Sequence, residues 1–233
     1  MASDLARSAK KPSVLLLEAG GDNADPNLRV DGQRWNTFLK EGMNWGYKTV
    51  PQEHCNDRVI DYSRGRGLGG SSAVNFGVFT VGCRDDYDEW ARLMDDAAFS
   101  WERVQARLKK LETFHTGLPE GVDTEYANPH PNNHGTNGAL HVGYAGQWEK
   151  DIIPVLNVFK QVGFPLNPDH NSGNPLGMAV VINSAYKGLR TTAADLLTPR
   201  PDNLTVMTNT PVQRVLFEGK QAVGVQAGGE KCQ

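Results

Sequence analysis

Residues Gly65 to Ser72 read G-R-G-L-G-G-S-S and run on into Ala73-Val74-Asn75-Phe76-Gly77. Glycines at 65, 67, 69 and 70 remove Cβ bulk and permit positive φ, so a pyrophosphate can approach the main chain, while Ser71 and Ser72 add hydroxyl donors. The chemistry such a loop performs is recognition of the phosphates of a nucleotide cofactor. Gly65, Gly67 and Gly70 also satisfy G-x-G-x-x-G, and Asp85 follows about 20 residues later, the separation of an NAD-type ribose contact. That fingerprint belongs between a buried apolar strand and a helix. Here the preceding Arg58 to Arg64 carries Asp61 and two arginines, and Ser71 to Val81 reads as extended. Context therefore makes the stretch a second phosphate loop, and an NAD-binding module ranks last among the readings.

The element that must position a nucleotide lies upstream. Ser13-Val14-Leu15-Leu16-Leu17 is a short apolar run ending in Glu18-Ala19-Gly20-Gly21, the pattern of a fully buried parallel strand. Glu18 stands at its carboxyl end, where an acid in a doubly wound sheet accepts hydrogen bonds from ribose hydroxyls. The plainer alternative is a solvated loop carboxylate; the glycine loop beside it favours the ribose role. A ribose acid follows its own glycine loop by about 20 residues, which places that loop at or before residue 1. Asp4 to Pro12 reads as the last turns of a crossover helix, so the chain is expected to begin in mid-unit.

At this point the residues resemble a known family, the glucose-methanol-choline (GMC) oxidoreductases, FAD-dependent enzymes that oxidise alcohols. Gly65 to Trp90 is similar to the family's first signature, including Asn75, Phe79 and Gly82. S-V-L-L-L-E-A-G resembles its ribose strand, Asn44-Trp45-Gly46-Tyr47 its early flavin-proximal segment, and Gly188 to Ala194 its later G-x-R-x-S-A stretch. Asn203 to Val206 and Pro211 to Phe217 resemble the two strands that return to the flavin domain. The resemblance implies that Glu18 and Ala19 hold the adenosine ribose, and that Leu68, Gly69, Gly70 and Ser71 approach the pyrophosphate and ribityl chain. It also implies that Asn75, Phe76, Gly77 and Val78 lie beside the isoalloxazine ring, that Trp45 flanks the flavin, and that the backbone of Val212 contacts adenine. Some members attach FAD through a histidine directly before the signature asparagine; Val74 stands there, so non-covalent FAD is implied. The family's catalytic histidine and its second signature lie beyond residues resembling anything here. No catalytic residue is assigned, and the chain is expected to be truncated at both ends.

Composition sets the outer bounds. The 233 residues are 39% hydrophobic and 22% charged, globular values that allow one or two small cores. A formal net charge of -3, with scattered lysines and arginines, offers no basic stripe for nucleic acid. No apolar run approaches the ~20 residues of a membrane helix, and Met1 to Lys11 lacks a signal-peptide core, so no membrane association and a cytoplasmic location are expected. Cys55, Cys83 and Cys232 form no C-x-x-C pair. Asn203-Leu204-Thr205 is a glycosylation sequon that falls at a strand entrance and carries little weight.

The remaining elements read as packing. Ser100 to Phe114 is predicted as a helix, capped by Ser100, with Trp101, Val104, Leu108 and Leu111 on one face. Asp151 to Val162 is a second, capped by Asp151, with Ile152, Val155, Leu156 and Phe159 on its buried side. Ala139 to Val142 is strand-like within a Gly-, Pro- and Asn-rich stretch. His130 and His134 stand four apart, but the intervening Pro131-Asn132-Asn133 argues against a helical ligand pair, and no metal site is assigned. Acids at Asp85 and Asp86 fit the start of a helix.

The expected fold class is α/β: an incomplete Rossmann-like FAD-binding domain with an inserted helical and loop-rich substrate-side segment. Residues 1–98 form the FAD-binding part, 99–175 the substrate-side excursion, and 176–233 the return strands. The expected function is an FAD-dependent, GMC-type alcohol oxidoreductase acting on a small-molecule alcohol, here without its catalytic histidine. The alternative is a non-catalytic remnant whose exposed sheet edge invites self-association or a complementing chain.

Overall fold

Parallel pairing between segments nearly two hundred residues apart organises the chain. The computed structural model describes residues 1–228 and 230–232. In chain order they form α1 (Ala2–Ala6), β1 (Val14–Leu17), α2 (Arg34–Leu39), α3 (Arg84–Met94), α4 (Trp101–Leu108), β2 (Glu112–His115), β3 (Leu140–Gly143), α5 (Ile152–Gln161), β4 (Ala185–Tyr186), β5 (Leu189–Arg190), β6 (Leu204–Met207), β7 (Val212–Glu218), β8 (Gln221–Ala227) and β9 (Glu230–Cys232), joined by loops and short 3₁₀ turns. They divide into two units, Met1–Phe76 with Thr192–Gln233, and Gly77–Thr191.

In the first unit, β1 pairs in parallel with β6, from Val14 opposite Leu204 to Leu17 opposite Met207. Parallel neighbours need a long crossover, and here the crossover contains the whole second unit. Asn203 locks the entrance of β6: its side-chain amide donates to the carbonyls of Ala6 (2.9 Å) and Pro12 (2.7 Å). The sequon asparagine is thus spent on tying α1 and the approach to β1 against β6. The second expected return strand does not join this sheet. It becomes β7, which with β8 and β9 builds a separate antiparallel meander whose first pair carries register shifts near Val212 and Leu216.

The second unit packs around Val142 and Ile182, both fully buried, with Tyr126, Tyr144, Leu156 and Val180 against them. β2 and β3 lie parallel, Glu112 opposite Leu140 through His115 opposite Gly143. The helix predicted over Ser100 to Phe114 is shorter than its apolar stripe: α4 stops at Leu108 and Glu112 begins a strand. The reason is long-range. The Glu112 carboxylate accepts the Gly135 N–H at 2.9 Å and meets His134 Nδ1 at 3.1 Å, all in the interior. Nor does Ser100 cap through its side chain; Asp88 Oδ1 accepts the Trp101 N–H at 2.9 Å instead.

The helix predicted from Asp151 forms as α5, although Asp151 makes no side-chain cap. Of the four residues expected on its buried side, Leu156 is buried, whereas Val155 is 48% exposed and Phe159 37%. Asp85 and Asp86 do occupy the first turn of α3. His130 and His134 are used separately: His130 Nδ1 accepts the Asn132 N–H, and His134 is enclosed between Glu112 and Asp169. Among the described residues, no helix is long and apolar enough to cross a membrane. Cys55 and Cys83 are free thiols; the side chain of Cys232 lies outside the described residues.

Candidate nucleotide-cofactor site

The glycine loop lies across the carboxyl end of β1. Glu18 Oε1 accepts two backbone N–H groups, from Gly20 (2.8 Å) in its own turn and from Gly67 (2.8 Å) in the loop. Leu68 N–H donates to the Gly21 carbonyl at 2.9 Å, Asn23 Nδ2 donates to the Leu68 carbonyl at 2.9 Å, and the Arg66 guanidinium donates to the Ala19 carbonyl at 3.1 Å. These bonds demand close backbone approach. A Cβ on Gly20 would stand 2.4 Å from the Gly67 nitrogen, and one on Gly65 would stand 2.2 Å from the Gly70 carbonyl oxygen.

Within the loop, Gly70–Ala73 closes a 3₁₀ turn, with Gly69 before it at φ +92° and Gly70 at φ +52°. The extended reading of Ser71 to Val81 is corrected over these residues, because positive φ at both glycines folds the chain back on itself. The two hydroxyls are engaged in that fold: Ser71 Oγ accepts the Gly65 N–H at 3.0 Å, while Ser72 Oγ donates to the Gly69 carbonyl at 2.5 Å and accepts the Ala193 N–H at 2.8 Å. Ala193 opens a short turn whose start is a capping box between Thr192 and Asp195, and Asp195 also pairs with Arg29 at 2.7 Å.

The residues expected near the flavin fall into groups. Trp45 stacks on Tyr47, ring centroids 5.8 Å apart and planes within 3°, and the Arg66 guanidinium sits 5.2 Å from the Trp45 ring. Asn75 donates its N–H to the Ser71 carbonyl at 2.9 Å, and Phe76 meets Trp35 edge-on at 4.7 Å. Gly77 and Val78 belong to the second unit, where the Gly77 carbonyl accepts the Ser184 N–H and Val78 bridges Asn183. Val212 sits on β7 opposite Ala227, in the meander rather than the parallel sheet.

A cavity of about 340 Å³ opens at the carboxyl ends of both parallel strands, lined by Gly20, Gly21 and Asp22 after β1, Asn209 after β6, and Lys40 and Arg66. The crevice beyond the carboxyl ends of parallel strands is where α/β sheets bind ligands. Adjoining it, a second cavity of about 380 Å³ is lined by Asp22, Asn23, Leu68, Arg29 and Arg200 among others. Arg66 Nε is buried without a hydrogen-bond partner, and an unsatisfied guanidinium N–H beside a cavity suits an anionic ligand. Gly70 offers open space where its Cβ would be. This donor set fits a nucleotide: a carboxylate at the end of β1, bare glycine backbone, and cations lining the cavity. Arg66 and Asn23 were not singled out from sequence, since each draws its role from a partner in another segment.

Residues 16–233 match the GMC oxidoreductase family in its N-terminal region, which in these flavoproteins is the Rossmann-like, FAD-binding domain. An oxygen-dependent choline dehydrogenase from Stenotrophomonas maltophilia (strain K279a) is 34% identical over 223 residues, covering 92% of this chain and 37% of that protein. Pyranose dehydrogenase 3 from Leucoagaricus meleagris is 32% identical over 89% of this chain and 35% of its own length. The crystal structure of pyridoxine 4-oxidase from Mesorbium loti superposes with a TM-score of 0.84 at 25% identity, covering 98% of this chain and 43% of that one. The chain spans about two fifths of the length of the relatives it matches. With an acid-ended strand, a glycine loop bonded to it and this breadth of similarity, the chain belongs to the GMC oxidoreductase family.

Proposed function

We propose that this chain is the FAD-holding portion of an alcohol oxidoreductase and binds the cofactor non-covalently. The observation that carries this reading is the Glu18–Gly67 hydrogen bond, which joins the proposed sugar-side acid to the proposed phosphate-side loop, whose neighbours Gly20 and Arg66 line the cavity. Glu18 retains a second carboxylate oxygen for the ribose hydroxyls. The backbone around Gly69 and Gly70 would face the diphosphate, with the Arg66 guanidinium neutralising charge at the rim. Trp45, Asn75 and Phe76 would flank the flavin ring. Bound FAD supplies the acceptor for a hydride leaving an alcohol carbon; no residue of this chain is assigned as the base. Val74 occupies the position from which a histidine would tether the flavin, which supports reversible binding. The names of the relatives, dehydrogenases of choline and pyranose and an oxidase of pyridoxine, support a small-molecule alcohol as substrate.

Purification tests the reading. A yellow protein that releases FAD on denaturation, or a colourless one that quenches added FAD fluorescence saturably, is the expected result. A folded chain that ignores FAD would overturn it and favour the second reading, a non-catalytic remnant that associates with another chain. That second reading draws on the exposure of Leu15 and Met207 on the β1–β6 pair, apolar strand residues that a neighbour could cover.

A further inference from the structure

The second unit carries a histidine pair that the flavin reading leaves unused. His141 on β3 stands opposite Thr113 on β2, and His115 follows Thr113 by two residues, so both imidazoles project from the same face of the parallel pair. His115 Nε2 and His141 Nδ1 are 2.8 Å apart at the protein surface. The ring planes differ by only 13° with centroids 5.1 Å apart, so the rings meet edge to edge through those nitrogens. Tyr186 from β4 lies flat against His115, centroids 3.4 Å apart and planes within 7°, which fixes the orientation of the His115 ring. Thr191 Oγ1 donates to the His141 carbonyl at 2.8 Å and pins that backbone.

An imidazole–imidazole hydrogen bond holds one proton between two lone pairs that both favour a transition metal. Imidazole nitrogens bind such ions at about 2.0–2.1 Å. Two of them at right angles around one ion are then about 2.9 Å apart, and about 3.3 Å in a tetrahedral arrangement. The observed 2.8 Å is the separation of a hydrogen bond in which the two nitrogens face each other, so chelation requires both rings to turn their lone pairs toward one ion in place of the shared proton.

We propose that His115 and His141 chelate one divalent transition-metal ion, Cu(II) in preference to Ni(II) or Zn(II), through Nε2 and Nδ1, with water completing the sphere. The preference follows the general stability order of divalent ions with nitrogen ligands. Among the described residues no group of three or more His, Cys, Asp or Glu side chains is arranged around a metal position, so the site is a two-ligand one. It is weaker than a structural zinc site and is further moderated by Lys187, whose ammonium lies 5.3 Å from the Tyr186 ring. The proposal does not rest on flavin binding.

The test is a titration of the metal-free chain with Cu(II) at neutral pH, followed by calorimetry and electron paramagnetic resonance. One tight equivalent with hyperfine coupling from two imidazole nitrogens is expected. His115→Gln and His141→Gln should each weaken that equivalent by ~10-fold or more and reduce the nitrogen coupling, while His130→Gln leaves both unchanged. Because His141 is exposed, His141→Gln decides the matter even if His115→Gln perturbs the fold. Undiminished affinity or an intact two-nitrogen pattern in His141→Gln would overturn the site.

Discussion

Glu18 Oε1 and the Gly67 nitrogen meet at 2.8 Å across 49 positions of sequence. This one contact joins the end of β1 to the glycine loop, and in the proposed function it joins the ribose acid to the phosphate-facing backbone. Replacing Glu18 with Ala removes the acceptor for two N–H groups at once. Hydrogen bonds to a charged group contribute roughly 1.5–3 kcal/mol, so Glu18→Ala should lower the stability of the first unit by about that much and abolish FAD binding. Glu18→Gln keeps an acceptor for Gly67 and loses the charge, so it should stay folded while FAD affinity falls. Chemical denaturation and FAD titration of the two variants separate the clamp from the ribose contact.

The glycines of the site are predicted to differ sharply in what a side chain does. Gly20→Ala drives a Cβ to 2.4 Å from the Gly67 nitrogen, a backbone clash that nothing flexible can relieve. It should cost on the order of 2–4 kcal/mol, visible as a lowered Tm. Gly70 has open space at the same position and φ +52°, so a side chain there costs only about 1–2 kcal/mol of backbone strain. Gly70→Leu is therefore expected to fold yet lose FAD, because its side chain fills the approach to the phosphates. Flavin content unchanged in that variant would contradict the assigned loop.

Asp195 links two groups: it accepts the Thr192 N–H, which completes the capping box, and pairs with Arg29 at 2.7 Å. Loss of a helix cap costs about 0.5–2 kcal/mol. Asp195→Ala should show a loss in that range by urea denaturation. Asp195→Asn, which keeps the acceptor for Thr192, should recover most of it; equal damage from both variants would point to the ion pair instead.

His134 gives the second unit a pH signature. Burial opposes its charge, but hydrogen bonds to Asp169 and Glu112, reinforced by their negative charges, raise its pKa from 6.5 to about 9. A folded-state pKa above the unfolded value means the contribution is complete below pH ~6.5 and disappears as pH rises through ~9. Asp169 works in the opposite sense. Burial pushes its pKa up, and the hydrogen bonds with His134 and Asn133 overcome that and lower it, so its contribution is lost as pH falls below the normal carboxylate range. Stability should therefore decline between pH 6.5 and 9 by on the order of 1–3 kcal/mol, followed by denaturant midpoints. His134→Gln should flatten that alkaline decline while lowering stability overall, since it leaves two buried carboxylates without their cation.

The sequence carried the features that depend on neighbours in the chain. The apolar run before Glu18 reads as a strand and forms β1, and the glycine pattern reads as a loop of bare backbone, which Glu18 holds at Gly67. Features that depend on distant partners were not legible. The apolar period through Leu111 continues the helical pattern, yet Glu112 turns to strand because His134 and Gly135 require its carboxylate. Ser71 and Ser72 read as ligand donors by type, whereas their hydroxyls staple the loop to itself and to Ala193. Arg66, which nothing in the sequence pattern singles out, lines the cavity beside Lys40 with its Nε buried and unpartnered. His115 and His141 stand 26 residues apart, a separation that only the parallel β2–β3 register converts into contact.

The pairing of β1 with β6 also constrains how the polypeptide matures during synthesis. Val14 finds Leu204 only after about 190 further residues have been made, whereas Gly77–Thr191 is one uninterrupted stretch and can condense earlier. Nascent chains arrested shortly after Thr191 has emerged should thus hold a protease-resistant second unit, while Glu18 still waits unsheltered for the strand that completes its sheet.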